Sequence, residues 1–229
     1  MEFVPPNAPI VVLAFLGTLF LLGLLALASV VAFAAKRPPV ARWGLGAAAI
    51  VAAAYAGVLL TASAVSRERI LGPGGMKYFC EIDCHLAYSV QGIQITSEIG
   101  SPPGTLRAAG RFYVVALRTW FDEHTISARR GREKPLYPNP RVVYVEDAAG
   151  RRYERSPAAE EALVAMGGHS TPLTDPLRPG EYYVTLLVFD LPRDAGTPRF
   201  FVGNDPALEF ALIGHEMSPL HRKIWFAMR

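Results

Sequence analysis

Two long stretches without a charged side chain dominate the N-terminal part of this sequence. The first covers residues 9–35 and the second covers residues 43–65. A helix of about 20 apolar residues is long enough to cross the hydrocarbon core of a bilayer, which is ~30 Å thick. Neither stretch has the polar face that a water-soluble helix needs. Residues 1–66 are therefore predicted to form a transmembrane helical hairpin in the lipid bilayer.

A cleavable signal peptide is the alternative interpretation of the first stretch. Such a peptide has a basic N-terminal region and an apolar segment of roughly 7–15 residues. Here Glu2 is the only charged residue before Lys36, and the apolar run is much longer. We therefore expect the first stretch to be retained.

The connection between the two stretches is basic, with Lys36, Arg37 and Arg42 in the run KRPPVAR. Short loops rich in Lys and Arg stay in the cytoplasm. Arg67 and Arg69 reduce this charge difference without reversing it. The frequent use of Arg, Ala, Gly and Pro is typical of a GC-rich bacterial genome. We therefore predict a bacterial inner-membrane protein whose N-terminus and C-terminal domain are both periplasmic.

The second stretch is rich in small residues, and Gly46, Ala49, Ala53 and Gly57 recur at helical spacing. Small residues let two helix backbones approach closely in lipid, where no hydrophobic force acts between helices. We expect this helix to pack against the first one. The same residues predict contacts with other integral membrane subunits.

Residues 67–77 contain the run Gly-Pro-Gly-Gly at 72–75 and are predicted to form a flexible neck. Residues 78–229 then follow a period of two, broken by turn signals, with a register shift expected at Gly92. This pattern predicts one antiparallel sandwich of about seven strands, immunoglobulin-like or cupredoxin-like. The predicted strands lie at 85–95, 111–121, 140–147, 151–156, 182–189, 198–203 and 208–214. Only 156–168 is predicted to be helical, with Ser156 as its cap and Pro157 first.

Four runs in this region carry a resemblance to a known family: GRFYVVALRTWFDE, VVYVEDAAGRRY, RPGEYYVTLLVFDLP and IGHEMSPLHRKIWF. They resemble the uncharacterised immunoglobulin-like domain of many bacterial lipoproteins and membrane-anchored exported proteins, over about residues 78–226. The resemblance implies a β-sandwich outside the cytoplasm. It implies no catalytic residues, because that family has no known shared activity. The two-helix anchor and the paired cysteines depart from the lipoprotein form.

Cys80 and Cys84 are the only cysteines, and His85 follows them directly. Residues four apart in a strand are ~13 Å apart, whereas a disulfide needs Cα atoms about 4.4–6.8 Å apart. A bridge therefore requires that residues 80–84 turn. A disulfide is the default state of such a pair outside the cytoplasm. A reduced or redox-active dithiol is the alternative.

Metal binding is a further alternative for the same motif, because Cys and His ligands favour copper or zinc. The spacing also occurs in two kinds of copper protein. The oxidase copper motif has His where this chain has Tyr88, and the copper-delivery motif usually has Pro where it has Glu81. We expect no cofactor, with copper as the alternative. The alternative site comprises Cys80, Cys84, His85, His215, Met217 and His221.

The predicted strands at 111–121 and 181–189 are apolar on both faces. A strand that is covered on one side only should alternate with polar residues. The additional aromatic side chains predict a surface that meets extracytoplasmic protein subunits. That predicted surface comprises Phe112, Trp120, Phe121, Tyr182 and Tyr183.

The sequence offers little support for catalysis or for nucleic-acid binding. It lacks a nucleophile elbow, an HExxH motif and a P-loop, and its 23 basic and 20 acidic residues form no basic cluster. We therefore expect a non-enzymatic accessory or scaffold subunit that braces a membrane complex on the periplasmic side. By analogy, that complex is an energy-converting one, such as a photosynthetic reaction centre with its antenna or a respiratory electron-transport complex. Copper handling, thiol redox chemistry and a stand-alone envelope sensor or binding module are the alternatives.

Overall fold

Two apolar helices begin the chain, α1 at Ala8–Ala34 and α2 at Pro38–Ala64. Each has 27 residues and is therefore about 40 Å long. Both are long and apolar enough to cross a membrane by length and composition, which is consistent with a membrane anchor or a signal sequence. α2 begins earlier than predicted and includes Arg42, because proline is well tolerated in the first helical turn.

The computed structural model describes residues 8–81, 84–128, 130–204 and 209–228. The chain divides into two compact units. The helix unit comprises Met1–Arg67 and Pro206–Lys223, and the sheet unit comprises Glu68–Asp205 and Ile224–Arg229. The predicted domain boundary at residue 78 thus moves to residue 68, and one C-terminal segment groups with the helices. The N-terminal residues 1–7, predicted to be periplasmic, lie outside the described residues.

One face of α2 packs against α1. A side chain added at Gly44 would place its Cβ 2.3 Å from the Ser29 hydroxyl oxygen of α1, so Gly44 permits a close approach of the two helices. Further along, the ring of Tyr55 lies 6.3 Å from the ring of Phe15, measured between centroids. The contact of the two helices therefore rests on one side of α2, as predicted for a hairpin.

The described part of the sheet unit contains nine strands and one helix. In chain order they are β1 (Arg69–Leu71), β2 (Lys77–Cys80), β3 (His85–Ile99), β4 (Leu106–Asp122), β5 (Arg141–Glu146), β6 (Arg152–Tyr153), α3 (Pro157–Ala165), β7 (Tyr182–Leu191), β8 (Arg199–Asn204) and β9 (Ile224–Ala227). They form a five-stranded sheet, β1-β9-β8-β5-β6, and a four-stranded sheet, β2-β3-β4-β7. Both sheets contribute to one apolar core, whose fully buried members include Leu117, Phe189, Phe200 and Phe226.

Three features of the sheet unit differ from the prediction. The predicted neck contains β1, which pairs with β9 in parallel, so the sheets are not wholly antiparallel. The glycine-rich run at 72–75 is confined to a tight turn, closed by the Gly75 amide on the Gly72 carbonyl at 3.0 Å. The strand number exceeds about seven because β1, β2, β6 and β9 have four residues or fewer, too short for a period of two to stand out.

Two local predictions are confirmed. The pairing of β3 with β4 shifts register between Val90 and Gly92, which keeps Ile93 against the same core as Val90, whereas Ile95 is 49% exposed. α3 starts after Ser156 with Pro157 in its first turn. The Ser156 side chain makes no cap hydrogen bond; its carbonyl accepts from the amides of Ala159 and Glu160, at 3.0 Å each.

The run from Asp147 through Gly150 to Tyr153 forms the hairpin between β5 and β6. The Asp147 carboxylate accepts hydrogen bonds from the amides of Ala149 at 2.9 Å and Arg151 at 3.0 Å, and from the Tyr153 hydroxyl at 2.8 Å. Gly150 has φ = +78°, which favours glycine. Burial raises the pKa of Asp147, but these donors outweigh burial and lower the pKa to about 2. The Asp147 carboxylate therefore stabilises the conformation of this turn.

We expect Asp147→Asn to destabilise the protein most above pH 4 and progressively less towards pH 2. The folded pKa of about 2 lies below the ordinary value of 3.8, so the stabilisation is present above the ordinary value and is lost as the pH falls to the folded one. Urea unfolding of the full chain in mild detergent, followed by tryptophan fluorescence, measures this. Asp194→Asn is the control, since that side chain is 75% exposed. A loss of unfolding free energy in Asp147→Asn that does not change with pH would contradict the ionic role of the Asp147 carboxylate.

Candidate protein-docking face

The predicted interaction surface divides between core and surface positions. Phe112 and Phe121 are only 4% and 0% exposed, so their prediction as surface residues is wrong. Phe112 packs in a second small core that α3 covers, together with Val188 and Ala159. Tyr183 is half-buried, and its hydroxyl donates to the Leu173 carbonyl at 2.8 Å; burial raises its pKa. The two-sided apolarity of β4 and β7 therefore comes largely from α3.

The rest of the outer face of the four-stranded sheet carries a row of aromatic residues. Tyr78, Ala87, Trp120 and Tyr182 are successive cross-strand partners on β2, β3, β4 and β7, so their side chains share a face. Tyr182 is 61% exposed and Tyr78 is 40% exposed, while Trp120 is half-buried. Ala87 is only 2% exposed. The small side chain of Ala87 is thus buried between the larger rings of Tyr78 and Trp120.

Arg118 lies beside this row on β4. Its guanidinium carbon is 4.2 Å from the ring centroid of Tyr182 and 5.9 Å from that of Trp120, within the range of a cation–π interaction. Its Nε is buried and, among the described residues, has no hydrogen-bond partner. We call Tyr78, Trp120, Tyr182 and Arg118 the docking face. Trp, Tyr and Arg are the residues that most often dominate binding energy at protein interfaces.

A polar row borders the docking face. Cys80, His85 and Asp122 are cross-strand partners on β2, β3 and β4, and the His85 amide donates to the Thr125 hydroxyl at 3.0 Å. Burial lowers the pKa of His85, with Asp122 opposing that effect. Burial and the Asp122 charge both raise the pKa of Tyr78. At neutral pH this border therefore presents a neutral imidazole and a neutral phenol.

Asp122, Glu123 and His124 bring their ligand atoms within 4.8 Å of one another. Asp122 is already engaged there, because its side chain accepts from the His124 amide at 3.0 Å and lies 3.1 Å from His124 Nδ1. The His124 side chain is 80% exposed. The cluster therefore acts as the cap of a short 3-10 turn at the end of β4.

The cysteine pair lies at the tip of the β2–β3 hairpin, where the Glu81 amide donates to the Cys84 carbonyl at 2.8 Å. The turn that a bridge would require falls at residues 82–83, which lie outside the described residues. Cys84 is 1% exposed and belongs to the apolar core, whereas Cys80 pairs with His85 on the docking-face side. The structure does not join the two thiols. The predicted disulfide lacks support because the two side chains point to opposite faces of the hairpin.

The remaining predicted copper ligands lie in the helix unit. His215 is 5% exposed, and its Nδ1 accepts from the Met217 amide at 3.2 Å. His221 Nδ1 lies 2.7 Å from the Arg222 carbonyl oxygen. Cys80, Cys84 and His85 belong to the sheet unit. The predicted ligand set is therefore divided between the two units, and copper binding stays a prediction.

The predicted helix-packing residues are exposed. Gly46, Ala49, Ala53 and Gly57 lie on the side of α2 away from Gly44, and a Cβ added at Gly46 or Gly57 would meet nothing within 4 Å. At 3.6 residues per turn they line the face roughly opposite to the one against α1. The contact with α1 therefore leaves this small-residue face uncovered.

A buried ion pair supports the hairpin that carries Tyr78 and Cys80. The Arg141 guanidinium pairs with the Glu81 carboxylate, and their side chains are 2% and 3% exposed. Arg141 also donates to the Tyr88 hydroxyl at 3.1 Å and to the Asn204 side-chain oxygen at 2.7 Å. Burial raises the pKa of Glu81, and Arg141 opposes that effect. This network, which joins the two sheets, was not predicted; its only sequence signal is polar residues beside apolar strands.

No protein-family model and no curated protein matches this chain. No family is shown. Among solved structures, a conserved hypothetical protein from Bacillus anthracis is similar with 16% identity and a TM-score of 0.42, covering 55% of this chain and 86% of that one. The secreted protein MPT63 from Mycobacterium tuberculosis has 15% identity and a TM-score of 0.41, covering 72% of this chain and 99% of that one. These remote likenesses carry no argument about family or function.

Proposed function

We propose that this chain is a membrane-anchored, non-enzymatic subunit that binds a partner protein through its docking face. α1 and α2 hold it in the bacterial inner membrane, and the sheet unit is an immunoglobulin-like sandwich on the periplasmic side. The observation that carries the proposal is the stacking of half-buried Arg118 between half-buried Trp120 and exposed Tyr182 on one face of the sheet. Stacking restrains the arginine before binding, so less side-chain entropy is lost when a partner covers it.

The partner is expected to dock on the face of the four-stranded sheet and not on its β7 edge. That edge is already covered, because the Ser156 amide donates to the Val188 carbonyl at 2.7 Å. The Thr171 amide donates to the Val184 carbonyl at 3.0 Å, and the Leu186 amide donates to the Ser170 hydroxyl at 2.9 Å. Strand addition needs an open edge. Side-chain packing on the docking face is the mode that remains for this side of the sheet.

The small-residue face of α2 supports a second contact within the membrane. Gly46, Ala49, Ala53 and Gly57 allow a neighbouring helix to approach closely, which is the main source of packing between helices in lipid. Together, the two surfaces suit an accessory subunit of a membrane complex. The energy-converting setting rests on analogy and stays a prediction. A stand-alone envelope module is the rival outcome of the experiment.

Native gel electrophoresis after mild detergent solubilisation tests this proposal. We expect the wild-type chain, in membranes of its own organism, to migrate in a species larger than its 24.9 kDa and its micelle. The double variant Ala53→Leu/Gly57→Leu should reduce that species about tenfold, because bulky side chains separate the helices. Ala54→Leu is the matched control, since Ala54 is also exposed but lies about 100° round the helix from Ala53 and about 60° from Gly57.

Migration of the wild-type chain at its own mass would show a stand-alone module and refute the accessory role. Equal effects of Ala54→Leu and the double variant would show a general perturbation of α2. In that case the proposal that the small-residue face of α2 binds a partner helix would be refuted.

A further inference from the structure

The predicted strand at 208–214 is not a strand in the described residues. Residues 209–222 instead form a chain of linked turns, which we call the turn ribbon. Every third amide in it donates to the carbonyl three residues earlier. These bonds run from Leu212 to Glu209 at 3.1 Å, from His215 to Leu212 at 3.1 Å, from Ser218 to His215 at 2.9 Å and from His221 to Ser218 at 3.1 Å.

The turn ribbon is fastened to α2 at two levels. The Tyr55 hydroxyl donates to the Ala211 carbonyl at 2.8 Å, and the Arg222 amide donates to the Ser66 hydroxyl at 2.8 Å. Tyr55 lies nine residues before the end of α2 at Ala64, a distance of about 14 Å along the helix. The ribbon therefore starts beside an apolar part of α2 and ends just beyond its last turn.

Several main-chain groups of the ribbon have hydrogen-bond partners within the ribbon or on α2. The Leu212 carbonyl accepts from the His215 amide and also from the Ser218 hydroxyl at 2.6 Å. His215 and Ser218 are 5% and 4% exposed. Irregular backbone is tolerated near hydrocarbon only when its polar groups have partners. The linked turns meet that condition at the amides of Leu212, His215, Ser218 and His221, although the ribbon is neither a long helix nor a strand.

The exposed side chains of the ribbon are apolar except for Arg222, while Glu209 and Glu216 are half-buried and engaged in contacts. Phe210 is 53% exposed and Leu220 is 73% exposed, and Pro219 is also exposed. Neighbouring α2 exposes Val58 by 56%, so the apolar surface of the helix continues onto the ribbon. Arg222, at the end nearest Ser66, is the exposed cation. This order, apolar first and basic last, matches the change from acyl chains to anionic headgroups.

We propose that the turn ribbon is an interfacial membrane segment, with Phe210 inserted below the lipid headgroups and Arg222 at their level. Its occupant is the bilayer, because its exposed side chains extend the apolar surface of α2. The inference rests on the proposed membrane anchoring. It adds a second attachment to lipid, placed between β8 and β9, far along the chain from the hairpin.

Site-directed spin labelling measures the depth of the ribbon. The full chain, carrying Cys80→Ser, Cys84→Ala and Phe210→Cys, is reconstituted in vesicles of phosphatidylethanolamine and phosphatidylglycerol. We expect collisions of the label with oxygen to exceed collisions with a polar nickel chelate. Tyr137→Cys in the same background is the aqueous control, since Tyr137 is 70% exposed in the sheet unit, and its ratio should be reversed. Leu24→Cys on α1, 47% exposed, reports anchoring alone.

The outcomes separate the two proposals. A lipid-like label at Leu24 with a water-like label at Phe210 would overturn the ribbon proposal and leave the anchor intact. A water-like label at Leu24 would refute the anchor itself. A Phe210 label shielded from both reagents would show protein contact and overturn lipid as the occupant. Phe210→Trp in the chain with native cysteines keeps the test independent of the cysteine background, because brominated lipids should quench its added emission and absence of quenching would contradict the proposal.

Discussion

Arg141→Met is expected to lower the free energy of unfolding by about 3–5 kcal/mol at neutral pH. The change removes the guanidinium that pairs with Glu81, whose side chain is 3% exposed, and leaves a carboxylate in the protein interior. It also removes the donors to Tyr88 and Asn204. A loss of this size is a large fraction of the stability of an ordinary domain. Urea unfolding of the full chain in mild detergent, followed by tryptophan fluorescence, measures it.

Two further variants identify the cause of that loss. Arg152→Met is the matched control, because its partner is Glu146 at 3.3 Å and its side chain is 55% exposed; the expected cost is about 1 kcal/mol or less. Adding Glu81→Gln to Arg141→Met should recover much of the stability, since the uncompensated charge is removed. Equal losses in the single and double variants would show that packing, and not charge, dominates at this site.

The loss in Arg141→Met should also depend on pH. Burial raises the folded pKa of Glu81 above the ordinary 4.5, and removing Arg141 raises it further. An acid with a raised folded pKa favours the folded state below its unfolded pKa, and that advantage disappears as the pH rises through the folded pKa. The deficit of the variant should therefore be smaller at pH 4 than at pH 7.

The elements predicted well were those with a strong local signal. The helices follow from the lack of charge in 9–35 and 43–65, α3 follows from the Ser-Pro start at 156–157, and the β5–β6 turn follows from the run that begins at Asp147. In each case the residues that form the element also carry its signal. Length and turn chemistry were sufficient there, because no distant contact decides those conformations.

The errors arose where distant contacts decide. Phe112 was predicted to be exposed because nothing local shows that α3 folds over β4. The 208–214 segment has the alternation of a strand, yet it packs beside Tyr55, more than 150 residues earlier in the chain. β9 is only four residues long and finds its partners in β1 and β8. These elements depend on pairing across the fold, which a periodicity within one segment does not contain.

The candidate site shows the same division. Trp120 and Tyr182 were predicted as surface residues, and they lie on the docking face. Arg118 was not predicted, because its place on the face depends on stacking against Tyr182. That ring belongs to another strand, and its centroid lies 4.2 Å from the guanidinium carbon. Cys80 and Cys84 drew attention through their spacing, yet Cys84 lies one residue before His85, the cross-strand partner of Cys80, so strand alternation directs the two side chains to opposite faces. Sequence patterns therefore named Trp120 and Tyr182 but not Tyr78 or Arg118, and the docking role of all four stays a prediction.

Trp120→Ala is expected to weaken binding of the partner protein by about 2–4 kcal/mol, or roughly 30- to 1000-fold. The substitution removes the central ring of the docking face and one of the two rings near Arg118. The folded state should lose less than it would from a core aromatic, because Trp120 is only half-buried. Serial dilution of the solubilised complex before native electrophoresis measures the change, with the thermal midpoint recorded alongside to check folding.

Tyr137→Ala is the matched control, since it removes an aromatic ring that is 70% exposed and lies outside the docking face. It should leave the dissociation curve unchanged. If Trp120→Ala also leaves the curve unchanged while Ala53→Leu/Gly57→Leu dissociates the complex, the membrane helices hold the partner and the docking face does not. If both changes dissociate it, the two surfaces act together, and their combined effect should approach the sum of the separate ones because the substituted residues are different and belong to different units.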